Sequence, residues 1–383
     1  MNSKKPTNNI ELSIVMPCLN EAETIAICIR KAQKFLDDYN VSGEIVISDN
    51  GSTDDSVKIA KELGARVVHQ KIKGYGSALM KGIESAMGRF VIMGDADDSY
   101  DFLILIPFLD KLRLGYDLVM GNRFKGGVQR GAMPFLNKYL GNPFLSGVGK
   151  LFFGSKISDF HCGLRGFSKV AYERFNMQTT GMEFASEMVV KATILQMKIA
   201  EVPTTLSPDG RSGRPHLRPF VDGWRHLRFL LLYSPRWLFL YPGIIVTVIG
   251  LIFTLWIFFN INQKIDVHSM LYSATAVLIG VQLITLSLYT KFFALHEKLI
   301  PENPFINYLL NKFTMKAGLL FSFIILAVGL GLGIYTFIIW QEGSFFAMGV
   351  RLTLRYVILS FFFIVLGIHL IVSSFFFSYL KIN

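Results

Sequence analysis

The sequence predicts an α/β domain on a mainly parallel, doubly wound sheet, followed by an all-α membrane domain of four helices. Three observations predict this. Up to about Arg236, short apolar runs alternate with helical patterns and charges are frequent. Beyond it, charges are scarce and four apolar stretches are long enough to cross a bilayer. The polar turns after the early apolar runs collect Asp, Asn and Glu, at the strand ends where such sheets bind ligands.

The elements follow in order. Leu12–Met16 reads as a strand that Pro17 stops, and Glu21–Leu36 as a helix capped by Asn20. Glu44–Ser48 is the next strand; Ser52 or Thr53 caps a helix that runs to Leu63 and ends at Gly64. Arg66–His69 is a short strand and Tyr75–Met87 an amphipathic helix. Arg89–Met93 is a strand ending in an acidic cluster, Phe102–Leu112 a helix and Leu118–Met120 a strand. Phe135–Phe153 and His216–Arg236 mix apolar, aromatic and basic residues. Both suit helices on a membrane surface, and the second directly precedes an apolar stretch.

The expected division is residues 1–215 for the α/β domain, 216–236 for a juxtamembrane helix and 237–383 for the membrane domain. The spans fall at about 237–262, 269–290, 317–341 and 356–380. An even number of spans returns the chain to its starting side. Lys291, Lys298, Lys312 and Lys316, with Arg225, Arg228 and Arg236, place that side in the cytoplasm by the positive-inside rule. Arg351 and Arg355 conflict mildly with this orientation. His369, inside the fourth span, is expected to face another helix in a structural role. Met1–Asn9 is polar with no apolar core and does not read as a signal peptide. Three cysteines without metal-like spacing argue against a disulfide framework or a zinc site. The net charge of +11 suits anionic partners such as phosphates or lipid headgroups; no motif points to nucleic acid.

Asp95-Ala96-Asp97-Asp98 follows a buried strand. Crowded carboxylates repel one another unless a cation joins them. Oxygen-only ligands suit Mg²⁺ or Mn²⁺, with a diphosphate completing the coordination. The competing reading is a helix cap, assigned to Asp98, Ser99 and Asp101. Asp49-Asn50-Gly51-Ser52-Thr53-Asp54 explains itself as a turn and cap, leaving Asp49 spare to accept from a base N–H. Pro17-Cys18-Leu19-Asn20-Glu21 follows the first strand. Lys73-Gly74-Tyr75-Gly76 opens a helix whose N-terminus suits anions, but lacks dinucleotide or P-loop spacing.

In this order the motifs resemble the family 2 glycosyltransferases with a GT-A (Rossmann-like) fold. More narrowly they resemble the polyprenyl-phosphate sugar synthases, the dolichol-phosphate mannose and glucose synthase-like branch, over roughly Glu11 to Arg214. The resemblance implies an inverting transfer of a hexose from a UDP- or GDP-sugar to undecaprenyl or dolichyl phosphate, using Mg²⁺ or Mn²⁺. It assigns Pro17, Asn20, Glu21, Asp49, Gly74, Asp95, Ala96 and Asp97 to the nucleotide-sugar, with Asp97 and Asp95 on the metal. Gly121-Asn122-Arg123 resembles the branch's Gly-Ser-Arg segment, which places an Arg near the acceptor phosphate. Asp159-Phe160-His161-Cys162-Gly163-Leu164-Arg165 resembles its Asp-X-X-Ser-Gly-X-Arg segment, and Arg211-Ser212-Gly213-Arg214 its mobile loop. Arg123, Arg165, Arg211 and Arg214 are thereby assigned to phosphate. Asp159 reads either as a general base or as a group orienting the acceptor or donor sugar; a lipid phosphate, largely ionised at neutral pH, needs little deprotonation, which favours an orienting or electrostatic role. The resemblance also leaves room for a homo-oligomer.

Two rivals remain. Processive polysaccharide synthases share the domain but carry Gln-X-X-Arg-Trp, where this chain has Tyr233-Ser234-Pro235-Arg236-Trp237. A transporter or flippase with a nucleotide-sensing domain should carry paired charges within its spans, and these contain almost none.

Overall fold

A computed structural model describes residues 10–212, 219–260, 267–296, 314–342 and 350–380. Met1–Asn9, Arg214, the first residues of the His216–Arg236 stretch, Lys298 and Lys312 lie outside the described residues. The chain forms two compact units, Met1–Tyr233 and Ser234–Asn383.

The first unit is a seven-stranded sheet in the order β3-β2-β1-β4-β6-β5-β7. Its strands are β1 Leu12–Cys18, β2 Gly43–Asp49, β3 Arg66–His69, β4 Phe90–Met93, β5 Leu118–Asn122, β6 Arg165–Ser168 and β7 Ile199–Pro203. Helices α1 (Ile25–Asp38), α2 (Ser56–Glu62), α3 (Tyr75–Ser85) and α4 (Ile106–Arg113) make the expected crossovers. The short α5 (Arg123–Gly126) leaves β5; α6 (Asn142–Phe153), α7 (Lys169–Phe175), α8 (Phe184–Ile194) and α9 (Pro219–Leu232) complete the unit. β1, β4 and β5 read as near-continuous apolar runs because helices cover both faces of the sheet.

The sequence pattern announced neither β6 nor β7, and β6 is the one that shapes the site. It runs antiparallel to both neighbours, with Arg165 opposite Met93 of β4 and Met120 of β5. Residues that precede β6 therefore emerge beside residues that follow β4 and β5. This single reversal brings Asp159–Leu164 to Asp95 and Arg123.

Several local expectations are corrected. Pro17 does not stop β1: pairing with β2 continues to Cys18 opposite Asp49, although pairing with β4 has ended at Val15. α1 starts at Ile25, so Asn20 is not its cap; the Asn20 side chain accepts from Thr53 N at 2.8 Å instead. Asp55 takes the position before α2, so neither Ser52 nor Thr53 caps it. α4 starts only at Ile106, where Pro107 favours a first turn, so Asp98, Ser99 and Asp101 are too far upstream to cap it. Asp98 pairs with Lys31 at 2.7 Å, and Asp101 closes a turn on Leu103 N.

The second unit contains four helices long and apolar enough to cross a membrane: Arg236–Phe259, Val267–His296, Met315–Gln341 and Thr353–Tyr379. Small residues bring them together in pairs, as membrane helices require where no hydrophobic gain drives association. A Cβ on Gly250 of the first would lie 2.8 Å from Ser273 O of the second. One on Gly367 of the fourth would lie 2.9 Å from Leu326 of the third. His369 meets Thr285 Oγ1 of the second helix at 3.1 Å, the expected helix-facing contact. Arg355 is buried, and its Nη1 donates to Ile257 O at 2.7 Å, at the C-terminal end of the first helix. Its conflict with the charge rule has a physical cause: it is a helix-end cap, where cations complement the dipole, rather than a loop charge.

Candidate active site

Three strand ends and two loops of the first unit converge. From β4 come Asp95 and Asp97. Asp95 Oδ1 accepts from the Tyr75 hydroxyl at 2.8 Å, across from the first turn of α3. Asp97 Oδ1 accepts from Ser99 N at 3.0 Å and Ser99 Oγ at 2.6 Å, closing the turn after β4. Asp97 is thus held by its own turn, and Ser99, read from the sequence as a helix cap, is the residue that holds it. The Ala96 carbonyl accepts from Thr24 Oγ1 at 2.7 Å, fixing this turn to the start of α1. Gly163 comes so close that a Cβ there would lie 2.5 Å from Asp95 Oδ2. Only glycine lets the Asp159–Arg165 segment pack on the acidic turn.

Arg211 lies among the carboxylates. Its Nη1 donates to Glu21 Oε1 at 2.8 Å, Nε donates to Asp209 Oδ1 at 2.8 Å, and Nη2 lies 3.5 Å from Asp97 Oδ2. Nη2 also contacts Asp209. Ser212 ties the same loop to Glu23 through its N–H at 2.7 Å. One guanidinium thus faces Glu21, Asp97 and Asp209, leaving net negative charge. Burial pushes the Glu21 carboxyl up to about 7; Arg211 opposes this, and Asp97, Asp209 and Asp95 add to it. Burial, and then the charge of Asp97, raise Asp95 to about 6, against the pull of Tyr75, Arg123 and Arg211.

The opposite wall is Arg123 against Asp159. Arg123 Nε and Nη2 each donate to the carboxylate at 2.7 Å, and Arg123 N donates at 3.1 Å. Asp159 is fully buried and Arg123 nearly so. Burial works against the charge, and the Asp159 carboxylate holds the guanidinium firmly protonated nonetheless. The role of Asp159 visible here is to fix Arg123. Tyr100 supports the same wall, its hydroxyl oxygen accepting from Gly163 N at 2.8 Å.

Arg165 leaves the phosphate-binding set. It is fully buried, and its nitrogens donate to Cys162 O at 2.7 Å, Phe160 O at 2.9 Å and Ala185 O at 2.5 Å. Three carbonyls use its fork, so it is an internal bracket. Asp49 is also not spare. Its oxygens accept from Ser52 N at 2.9 Å, Gly51 N at 3.2 Å and His69 Nδ1 at 3.0 Å, and these bonds hold its pKa low despite burial. Gly74 does not offer a free anion-binding turn: its N–H donates to Asn50 Oδ1 at 2.8 Å, and the Thr180 carbonyl fills the space a side chain would take. Pro17 is half-buried and Asn20 exposed, bound to the Ser52–Thr53 loop.

Tyr75, Tyr100, Asp209 and His69 were missed by sequence reasoning. Tyr75 lay inside a quoted motif, but nothing local signals that its hydroxyl reaches a strand end twenty residues on.

Residues 13–175 match Glycosyl transferase family 2, and residues 288–381 match the Glycosyltransferase family 2 C-terminal transmembrane region. The low-salt glycan biosynthesis hexosyltransferase Agl6 of Haloferax volcanii is 36% identical over 343 residues, covering 88% of this chain and 82% of that protein. The chain belongs to glycosyltransferase family 2. As a member of this family it is a glycosyltransferase, and its four apolar helices make it an integral membrane protein. Glycosyltransferase AglJ of the same organism is 31% identical over 282 residues, covering 71% of this chain and 89% of that protein. A dolichyl-phosphate hexose transferase, also from Haloferax volcanii, is 30% identical over 214 residues, covering 56% of this chain and 89% of that protein. A solved glucosyl-3-phosphoglycerate synthase of Mycobacterium tuberculosis, in complex with uridine diphosphate, is 22% identical. It aligns with a TM-score of 0.46 over 58% of this chain and 80% of that one.

Proposed function

We propose that this glycosyltransferase moves a hexose from a UDP- or GDP-sugar to a polyprenyl phosphate, undecaprenyl or dolichyl, at the membrane surface. The observation that carries the reading is electrostatic. Asp95 and Asp97 sit at one strand end with Arg211 Nη2 3.5 Å from Asp97, and Asp95 lies within electrostatic reach of both Arg211 and Arg123, two guanidinium groups suited to two different phosphates. The similarity to a dolichyl-phosphate hexose transferase supports the same acceptor class.

The acidic crevice fits a divalent cation through its donor chemistry. Asp95 and Asp97 each give one oxygen to internal hydrogen bonds and keep a second, and the site carries excess negative charge. No cluster of three or more ligating side chains exists among the described residues. Two carboxylates with substrate oxygens completing the shell are a donor set that suits Mg²⁺ or Mn²⁺. When bound, the ion supplies charge neutralisation for the departing diphosphate.

The chain's own residues do the rest. Glu21, Asp95 and Asp97 border the donor. Arg211 sits on a loop whose partners, Glu21 and Asp97, are the same groups, so it is poised to exchange them for diphosphate oxygens. Asp159 holds Arg123 by a bidentate pair and presents it to the acceptor phosphate. That phosphate is ionised at neutral pH and attacks the anomeric carbon as the nucleoside diphosphate leaves, inverting it. No general base or covalent enzyme intermediate is required.

α9 supports acceptance from a membrane. Phe220, Val221, Trp224 and Leu232 are exposed beside Arg225 and Arg228, and Asp222, His226, Phe229 and Leu230 face inward. Phe135, Tyr139, Leu140 and Phe144 add exposed apolar surface on and before α6. Such faces suit a lipid headgroup layer, with the catalytic unit and both termini cytoplasmic. The deciding experiment offers purified full-length protein, with Mg²⁺ or Mn²⁺, a panel of nucleotide-sugars and polyprenyl phosphate, and weighs the lipid product. A single added hexose is expected. A polymer would favour a processive synthase, and no lipid-linked sugar with any donor would end the proposal.

A further inference from the structure

We propose that Ser186, His161 and His226 are positioning residues for the acceptor side, forming a polar strut that ties the Asp159 loop to α9. The Ser186 hydroxyl on α8 lies 2.8 Å from His226 Nδ1 on α9 and 3.2 Å from His161 Nε2 in the loop before β6. The two imidazole rings meet edge to face with centroids 4.6 Å apart. Ser186 and His226 are buried.

The strut connects directly to the site. Asp159 Oδ1 accepts from both His161 N, at 3.3 Å, and Arg123 Nη2, at 2.7 Å. A path of hydrogen bonds thus runs from α9 through His226, Ser186, His161 and Asp159 to Arg123. Arg165 braces its middle by gripping the carbonyls of Phe160 and Cys162, on either side of His161, and of Ala185, next to Ser186. That bracket stops at α8; within this path the histidines alone extend it to α9, the last helix before the first membrane span.

The chemistry of the trio is poorly suited to plain packing. One serine proton serves two imidazoles, so one ring must itself donate to the hydroxyl oxygen. His161 Nδ1 remains buried with no hydrogen-bond partner among the described residues. Stability alone would favour an apolar trio, because an unpaired buried polar atom costs more than a net hydrogen bond returns. Burial, the neighbouring ring and the guanidinium groups of Arg123 and Arg165 keep His161 neutral. Burial holds His226 at about 4, with Asp222 opposing and Arg165 adding to the effect. A neutral chain gives direction without placing more positive charge beside Arg123.

This inference rests on the reading that Arg123 receives the acceptor phosphate. The test uses full-length Ser186→Ala, His226→Leu and His226→Asn in lipid nanodiscs. KM is measured separately for nucleotide-sugar and polyprenyl phosphate, and amide exchange is followed at residues 159–163. Ser186→Ala and His226→Leu are expected to raise the acceptor KM about tenfold and leave the donor KM within about twofold. Exchange in the loop should quicken in both. His226→Asn, which keeps a polar atom near the Nδ1 position, should restore the acceptor KM and slow exchange. Equal movement of both KM values, or none, overturns the strut, as does unchanged loop exchange. If wild type fails to use polyprenyl phosphate, the acceptor reading has failed, and the exchange data alone decide the strut.

Discussion

Removing the Tyr75 hydroxyl tests whether Asp95 works as a carboxylate tuned by its neighbours. The phenol donates to Asp95 Oδ1 at 2.8 Å and is one of the groups that oppose burial and Asp97, the balance leaving the carboxyl at about 6. A hydrogen bond to a charged group contributes about 1.5–3 kcal/mol. One pH unit corresponds to about 1.4 kcal/mol, and water entering the gap recovers part of the loss. In Tyr75→Phe the acidic limb of the pH profile should therefore move upward by about one pH unit. The sign follows from the charge: Asp95 acts ionised, and the lost bond favoured the ionised form. Donor kcat/KM, which reports groups of the free enzyme, should fall about fivefold at pH 6 and about twofold at pH 7, and approach wild type above pH 8. The assay is the initial rate of lipid-linked sugar formation across pH, with melting temperature as the folding control. An unmoved acidic limb refutes the reasoning. So does an equal loss at every pH, which would make Tyr75 a substrate contact.

Four further outcomes are expected. Asp95→Asn should raise the melting temperature of the ligand-free protein at pH 7.5 while lowering activity. The folded carboxyl titrates above its unfolded value, so stability falls as pH rises through about 4 to 6, and the full penalty, on the order of 2 kcal/mol, is present at neutral pH. A scan at pH 4 should show little gain, and a gain equal at both pH values would refute the assignment. Asp97→Ala should lower turnover about 10²–10³-fold or more with the fold intact by circular dichroism; near-normal activity would remove it from the metal site. Arg123→Lys keeps the charge but not the fork gripped by Asp159, so acceptor KM should rise about tenfold or more with donor KM steady, measured by titrating each substrate. Arg165→Leu leaves three carbonyls without donors and should cost about 3–5 kcal/mol in denaturant unfolding. A stable variant with a raised acceptor KM would return Arg165 to the phosphate site.

The parallel strands, their crossover helices and the membrane spans were legible because each rests on a short-range pattern: apolar runs, helical periodicity and hydropathy. Helix starts were less so. Asn20, Ser52 and Asp98 have the composition of caps, yet each found a partner across the crevice or on another element. Such residues favour any nearby unpaired backbone or side-chain group, and sequence does not say which one comes within reach.

From the sequence alone came the residue types at the strand ends, the paired acids after the fourth strand, the candidate arginines and the four apolar helices. Tertiary structure alone decided which of them share a site. The antiparallel insertion of β6 turned the Asp159–Leu164 segment toward β4 and β5, because pairing register, not composition, sets a strand's direction. The same packing buried Arg165 on three carbonyls and gave Arg123 to Asp159, separating two arginines that look alike in the sequence. It laid Arg211 among Glu21, Asp97 and Asp209, and it drew Arg355 onto a helix end. A charged side chain takes the counter-charge or carbonyl that folding delivers; Asp159 for Arg123, Glu21 for Arg211 and Ile257 for Arg355 all lie tens of residues or more away, beyond any local pattern.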